Sequence, residues 1–116
     1  NAAFGADARF VAPVFADAGR EGSYHLYMLR LANAAEVQRD AVIAAIAKRE
    51  VSVNVHFIPM PMLTIYKELG YRIADFPNTF NQYSREISLP VYYDLTDAQA
   101  DTVIAVVKEA VAEVMG

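Results

Sequence analysis

The sequence predicts an α+β fold, in which a small, mostly antiparallel sheet carries two long helices on one face. Three observations support this class. The chain has 116 residues, of which 55% are hydrophobic, and this is enough for one core. Segments near residues 36–50 and 97–114 repeat apolar residues with the period of a helix, and shorter apolar runs elsewhere favour strands. Strands and helices in this order are typical of two packed layers.

The first residues carry no signal of secondary structure. The sequence opens with NAAF, without Met, so residues 1–8 are expected to be an N-terminal tail or a cloning remnant, and residues 9–116 to form the domain. The chain is therefore expected to be a piece of a longer protein. The run FVAPVF contains Pro13, which places a strand there at a sheet edge or a strand end, and the glycines and charges of ADAGREGS predict a turn or a loose surface loop.

The segment YHLYMLRL, residues 24–31, is apolar on both of its alternating faces. This pattern belongs to a strand that is covered on both sides. Because the two long helices cover only one face of the sheet, we expect a contiguous apolar surface that a partner buries. His25 is interpreted as a packed or hydrogen-bonded structural histidine of this strand.

Capping signals and periodicity predict the two long helices. Asn33 and Glu36 have the spacing of a capping box before EVQRDAVIAAIAKRE, in which Arg39 is expected to lie outside the apolar stripe. Thr96 and Gln99 form a second capping box before the C-terminal helix. The predicted apolar stripes are Val42, Ile43, Ile46 and Ala47 in the first helix, and Val103, Ile104, Val107, Ala110, Val111 and Val114 in the second.

Shorter elements are predicted between these helices. MLTIYKELGY predicts a short helix that ends near Gly70, and Pro77 is a start signal for another. The run ISLP predicts a brief strand that Pro90 closes.

The segment VSVNVHFIPMPML, residues 51–63, begins with the pattern of a half-buried strand. Its valines face one way, and Ser52, Asn54 and His56 face the other. Two prolines stiffen the turn that follows and would hold the His56 ring in a defined place, which favours a role in a cleft. An imidazole on the solvent face of an edge strand is the alternative. The Met-Pro-Met run at 60–62 predicts either an adaptable pocket wall or gap-filling core.

Composition and motifs exclude several classes of function. A net charge of -4 and a pI of about 5.0 disfavour binding to nucleic acid or to an anionic membrane. The absence of Cys excludes disulfides and thiolate metal sites, and no apolar run approaches the roughly 20 residues of a membrane span, which agrees with a cytoplasmic protein. No phosphate loop, zinc-binding His pair or nucleophile elbow is present, and no lysine has the sequence context of a Schiff-base amine. No catalytic or metal-ligating residue is therefore predicted.

Four fragments, taken in order and spacing, carry a resemblance to a known family. They are YHLYMLRL, a helix that contains RDAVIAAI, then VSVNVHFIPMPMLTIYKELGY, then DFPNTFNQYSREISLPVYYDLTDAQADTVI. The Tyr-His strand, the His-aromatic-x-Pro turn, the Leu-Gly-Tyr helix end and the Ser-Leu-Pro to Thr-Asp succession are specific in combination. From about residue 8 to its end, the chain resembles the C-terminal small domain of the DegT/DnrJ/EryC1/StrS aminotransferases.

The resemblance implies a fold-type I enzyme that uses pyridoxal 5'-phosphate (PLP). Such enzymes move an amino group from a donor such as glutamate onto a keto sugar attached to a nucleotide, as in polysaccharide biosynthesis. A large PLP-binding domain of the same polypeptide would supply the Schiff-base lysine, and the enzyme would be a homodimer. No cofactor is then expected in this chain, which would be inactive alone. Relatives that use PLP for dehydration are an alternative for the complete enzyme.

The resemblance also assigns residues to the cleft. His56 and Phe57 match the His-aromatic pair of the cleft-side turn. Many members carry a second histidine that approaches the sugar where this chain has Pro61, so that contact is not implied here, and the neighbouring Met60 suggests a less polar wall. The predicted cleft residues are Asn54, His56, Phe57, Met60 and Pro61.

Two other interpretations stay open from the sequence. The first is a stand-alone α+β interaction module that dimerises through its apolar sheet face and has no enzymatic parent. The second is a small independent hydrolase with His56 as its base, for which the sequence offers no convincing nucleophile or orienting acid. A reading frame that encodes a lysine-bearing large domain upstream would favour the aminotransferase over the module.

Overall fold

A three-stranded antiparallel sheet forms the centre of the fold. In the computed structural model, which describes all 116 residues, β1 (Phe10–Val11) and β5 (Glu86–Leu89) flank β4 (Tyr27–Leu31). A separate hairpin of β2 (Ala16–Asp17) and β3 (Arg20–Glu21) lies between β1 and β4 in the sequence. The predicted class, with an antiparallel sheet and an edge strand at FVAPVF, is confirmed.

One face of the sheet carries the core. Leu29 pairs with Ile87, and Leu31 pairs with Phe10, and all four side chains are buried. Directly paired residues of antiparallel strands share a face, so these side chains form one apolar layer.

The opposite face of the sheet is not covered by long helices. Met28 pairs with Ser88 and Arg30 pairs with Glu86, which places these four side chains on the side away from the core. The Met28 residue is 37% exposed, whereas its neighbour Leu29 is completely buried. The expectation of a contiguous apolar surface here is wrong, because three of these four side chains are polar and two of them, Glu86 and Ser88, are buried within the chain.

Two long helices, α2 (Glu36–Ala47) and α5 (Asp97–Met115), pack against each other beside the core layer. The predicted capping box of α5 is confirmed, since Thr96 Oγ1 accepts from the Gln99 backbone N–H and the Gln99 side chain accepts from the Thr96 N–H. None of the helices combines the length and apolar character needed to cross a bilayer. The buried apolar residues are Phe4, Phe10, Leu29, Leu31, Val42, Ala45, Ile46, Ile87, Leu89, Val107, Ala110 and Val111.

The short helices follow their sequence signals. Pro77 begins one of them, and Gly70, with a φ of 90°, follows the end of another, as predicted. These elements are α1 (Ala2–Gly5), α3 (Thr64–Glu68), α4 (Pro77–Tyr83) and two 3-10 turns at Met60–Met62 and Ile73–Asp75.

The N-terminal residues differ from the expected tail. Helix α1 lies within residues 1–8, and its Phe4 side chain is only 3% exposed. The Phe4 ring packs edge-to-face on Phe10, with 5.0 Å between the ring centres. This segment is therefore part of the core.

The strand predicted at 24–31 is shorter than expected. Tyr24 has a φ of 58°, and its ring stacks on Phe15 with 4.9 Å between the ring centres, so the chain turns back onto the hairpin. His25 is exposed, and its Nδ1 atom lies 2.7 Å from the Ser23 hydroxyl. The interpretation of His25 as a packed strand histidine is wrong, but the alternative, a hydrogen-bonded histidine, is confirmed by its contact with Ser23.

The strand predicted at 51–57 is reduced to a single bridge, in which Asn54 pairs with Ser88 through two backbone hydrogen bonds. The ladder stops there because the His56 backbone N–H donates to a Glu86 carboxylate oxygen at 2.9 Å instead of to a backbone carbonyl. Val51 and Val53 pack against the core as predicted, but Phe57, expected on the same face, is 71% exposed.

Helix α2 differs from prediction at its start and on one face. Asn33 has a φ of 54° and lies in a turn; the N-cap is Ala35, whose N–H donates to the Gln38 side chain at 2.8 Å. Arg39, predicted outside the apolar stripe, is 2% exposed, while Ala47, predicted inside it, is exposed. Hydrogen bonds to distant backbone carbonyls explain the burial of Arg39.

Candidate functional site

A cleft of about 580 Å³ lies on the open side of the sheet. Strand β4, the turn after Asn54 and helix α4 supply its walls. Its lining mixes apolar and polar side chains, as ligand sites do. The lining residues are Pro13, Val14, Met28, Arg30, His56, Phe57, Pro59, Thr79, Gln82, Tyr83 and Glu86.

His56 is fixed in the cleft by two bonds to β5. Its backbone N–H donates to Glu86 Oε2 at 2.9 Å, and its ring Nδ1 lies 2.8 Å from Ser88 Oγ. The His56 residue is half-buried, and its Nε2 atom has no hydrogen-bond partner within the chain. The imidazole ring is therefore held through Nδ1, while Nε2 is free to bind a ligand.

Glu86 and Ser88 form a buried polar pair beneath His56. The Glu86 residue is 2% exposed and Ser88 is 4% exposed. The Ser88 hydroxyl donates a hydrogen bond to Glu86 Oε1. The Glu86 carboxylate thus accepts one O–H and one N–H, which offsets the cost of its burial.

Arg30 and helix α4 form the other side of the cleft. The Arg30 guanidinium donates from Nη1 to Gln82 Oε1, and makes no ion pair with Glu86, its partner across the sheet. Arg30 is the single Arg or Lys side chain in the cleft lining. Burial raises the pKa of the Tyr83 hydroxyl, so Tyr83 stays a neutral wall residue over the physiological pH range.

The three residues His56, Ser88 and Glu86 do not form a hydrolytic triad. In such a triad the histidine accepts the serine proton and donates to the acid. Here the serine stands between the other two, its proton is given to the carboxylate, and its side chain is buried. The geometry argues against the hydrolase interpretation.

The structure brings two of the five predicted site residues to the cleft. His56 and Phe57 line it, whereas Asn54, Met60 and Pro61 do not. The Asn54 side chain accepts from the Val55 backbone N–H at 2.8 Å, and the residue is exposed. Met60 is also exposed and Pro61 is half-buried, so the Met-Pro-Met run is neither core nor part of this cleft.

Sequence reasoning did not point to Glu86, Ser88 or Arg30 as cleft-side residues. One signal for the first two was available, because Glu and Ser alternate with Ile87 and Leu89 in a strand, which places both polar groups on one face. The contacts between this face and His56 join residues thirty or more positions apart, for which the sequence carries no local signal.

Large apolar side chains are exposed just beyond the cleft. The segment after His56 leaves four of them in solvent within nine residues, which is more than scattered surface positions normally show. They are Phe57, Ile58, Met60 and Ile65, with exposed fractions of 71%, 45%, 60% and 58%.

Comparison with known proteins gives a consistent result. The model of the DegT/DnrJ/EryC1/StrS aminotransferase family matches residues 4–108. The spore coat polysaccharide biosynthesis protein SpsC of Bacillus subtilis is 38% identical over 104 residues, which cover 87% of this chain and 26% of SpsC.

Solved structures match nearly the whole chain. Spr1654 from Streptococcus pneumoniae, described as a sugar aminotransferase, superposes in its PMP form with a TM-score of 0.92 and 32% identity, covering 97% of this chain and 28% of Spr1654. Helicobacter pylori PseC superposes with a TM-score of 0.84 over 97% of this chain and 30% of PseC; at 20% identity it shows the fold alone. The chain thus spans about a quarter to a third of the length of these proteins.

Proposed function

The chain belongs to the DegT/DnrJ/EryC1/StrS aminotransferase family, and we propose that it is the small domain of a PLP-dependent enzyme that aminates a nucleotide-linked keto sugar. The observation that carries this proposal is the match of 97% of the chain to a protein described as a sugar aminotransferase. The polysaccharide role of SpsC supports a sugar substrate.

The family implies PLP in the complete enzyme, but the residues of this cleft do not fit that group by themselves. The cofactor of an aminotransferase is held by a lysine amine. No lysine lines the cleft, and no group of three His, Asp or Glu side chains is placed to hold a metal ion. The amine would come from a large domain of the same polypeptide, so we propose that this chain is inactive alone.

In this proposal the cleft binds and orients the substrate. Arg30 is its one permanent cation and suits the phosphates of a nucleotide-linked sugar. His56 offers a free ring nitrogen for a sugar hydroxyl or amine, and Phe57 and Met28 supply apolar contact area.

The exposed apolar segment after His56 is proposed as the contact with the large domain or with the second subunit of a homodimer. Its four large apolar side chains would be buried there, and the uncovered sheet face around Met28 would close one side of the active-site cleft.

The test uses the complete protein, with its large domain. We expect purified enzyme to bind PLP and to transfer an amino group from glutamate to at least one member of a panel of nucleoside diphosphate keto sugars. His56→Ala should lower kcat/KM by roughly tenfold, about the worth of one hydrogen bond. His25→Ala is the matched control and should leave it unchanged, because His25 lies outside the cleft.

Two results would contradict the proposal. One is an enzyme that binds PLP but eliminates water from the same sugars, which would place it with the dehydratases. The other is a complete protein that binds no PLP while the 116-residue chain forms stable dimers, which would favour a stand-alone interaction module.

A further inference from the structure

The buried residues Glu86 and Ser88 determine which nitrogen of the His56 ring carries the proton. We infer that Glu86 and Ser88 are positioning residues that hold His56 as its Nδ1–H tautomer, so that Nε2 is presented as a hydrogen-bond acceptor to a hydroxyl or amine of the substrate.

The assignment follows from counting donors. The Ser88 hydroxyl has a single proton, and that proton is donated to Glu86 Oε1. The Ser88 oxygen then faces His56 Nδ1, at 2.8 Å, with lone pairs alone. A hydrogen bond at that distance requires a proton on Nδ1, and a neutral imidazole with a proton on Nδ1 has none on Nε2.

The second oxygen of the carboxylate is also bonded to His56. Glu86 Oε2 accepts from the His56 backbone N–H at 2.9 Å, which ties the carboxylate to the same residue whose ring it orients. Both partners are almost completely buried, so water does not compete for these bonds.

The Nε2 atom is open to a ligand. It has no hydrogen-bond partner in the chain, and no polar side-chain atom of this protein is both buried and unpartnered, so Nε2 is accessible to solvent. His56 lines the cleft beside Arg30 and Gln82. An acceptor at this position favours ligands that present O–H or N–H groups, and this part of the inference rests on the proposed function.

The other histidine provides a natural comparison. His25 Nδ1 lies 2.7 Å from the Ser23 hydroxyl, but both residues are exposed and no carboxylate takes the Ser23 proton. This serine is free to donate or accept, so its bond does not select a tautomer. The chain therefore contains one histidine, His56, whose serine partner donates its proton to a buried carboxylate, and one, His25, whose serine partner does not.

The test reads the tautomer directly by long-range ¹H–¹⁵N NMR of the 116-residue chain, at an alkaline pH where both rings are neutral. We expect His56 to show a protonated Nδ1 and an unprotonated Nε2, and His25 to show a mixture. Ser88→Ala should release His56 to a mixture, while Ser23→Ala should leave His56 unchanged.

Glu86→Gln is the decisive variant. Its amide oxygen would accept from the His56 backbone N–H, and its NH₂ group would donate to Ser88, whose proton would then point to His56 Nδ1. The His56 tautomer should therefore invert to Nε2–H in a side chain of nearly the same shape. Dispersed amide resonances identify folded variants. If Glu86→Gln does not fold, the His56 tautomer measured in the wild-type chain tests the inference.

A wild-type His56 with its proton on Nε2, or a Glu86→Gln variant that folds but keeps the wild-type tautomer, would overturn the inference. In the complete enzyme, Ser88→Ala should raise KM for the sugar roughly two- to tenfold while kcat changes less, the range expected for one hydrogen bond. If Ser88→Ala gives a mixture of His56 tautomers but leaves KM for the sugar unchanged, the proposed role of Nε2 in binding the substrate is overturned. The NMR measurement contains no substrate, so it tests the tautomer independently of the proposed aminotransferase activity. Either result can therefore fail while the other holds.

Discussion

The Arg39 guanidinium lies over the Tyr83 ring, 5.0 Å from its centre, and Arg39 Nη1 donates to the Tyr83 backbone carbonyl at 2.8 Å. The same nitrogen donates to the Glu86 carbonyl at 3.2 Å. Arg39 thus ties helix α2 to the end of α4 and to the first residue of β5, next to the cleft. Its charge is balanced by Asp40, at 2.6 Å from Arg39 Nε, and by Glu36.

Arg39→Met is expected to destabilise the chain by about 2–4 kcal/mol. The substitution keeps an apolar stem but leaves two carbonyls without their donor in a region where the side chain is 2% exposed. Urea unfolding followed by circular dichroism measures the change. Arg20→Met is the control: its ion pair with Asp17 is exposed, and the change should stay within about 0.5 kcal/mol. Equal effects of the two substitutions would contradict the structural role of Arg39.

Adjacent residues of β4 should respond very differently to truncation. Leu29→Ala is expected to cost about 2–5 kcal/mol, because Leu29 is completely buried among core side chains. Met28→Ala should cost less than about 1 kcal/mol in the chain alone, because Met28 lies on the open face. Thermal and urea unfolding of both variants compare them. A Met28→Ala cost similar to that of Leu29→Ala would mean that the isolated chain covers this face, for example by dimerising.

The N-cap of α5 is expected to contribute about 1 kcal/mol. Thr96 Oγ1 accepts from the Gln99 backbone N–H at 3.3 Å, and Thr96→Ala removes this acceptor. Thr102→Ala provides the control within the same helix. Thr102 is exposed and donates to the Ala98 carbonyl, so alanine there should be neutral or slightly stabilising. If both threonines behave alike in urea unfolding, the cap makes no special contribution.

These elements also separate what the sequence predicts from what it does not. The α5 capping box, the helix start at Pro77 and the helix end before Gly70 were predicted because each depends on residues only a few positions apart. The valine pattern at 51–57 correctly placed Val51 and Val53 against the core, but it did not predict the exposure of Phe57 or the loss of the strand. That loss follows from bonds between His56 and a strand thirty residues away.

The burial of Arg39 has the same origin. Helical periodicity predicts that a charged residue lies outside the apolar stripe, because it carries no information about distant partners. The partners of Arg39 are backbone carbonyls on other elements. For the cleft, the sequence and the family resemblance gave His56 and Phe57. Glu86 and Ser88 acquire their positions only when β5 pairs with the bridge at Asn54.

The ion pair between Arg49, two residues after the end of α2, and Glu113 of α5 predicts a specific pH response. Arg49 Nη2 donates to Glu113 Oε2 at 2.7 Å, and this hydrogen bond and the positive charge lower the pKa of Glu113. A carboxylate with a lowered pKa in the folded state stabilises the fold above its ordinary pKa, and this stabilisation is lost as the pH falls through the lowered value. Both side chains are partly exposed, so the effect should be small and should weaken with salt.

Arg49→Gln should therefore raise the pKa of Glu113 toward its ordinary value, as measured by NMR titration of its side-chain carboxyl group. The same variant should reduce the stability difference between neutral and acidic pH, because the unfolded and folded states then bind protons more alike. Arg72→Gln is the matched control, since its ion pair with Asp75 lies in another part of the fold. A Glu113 titration that Arg49→Gln leaves in place would show that the charge of Arg49 does not act across this helix contact.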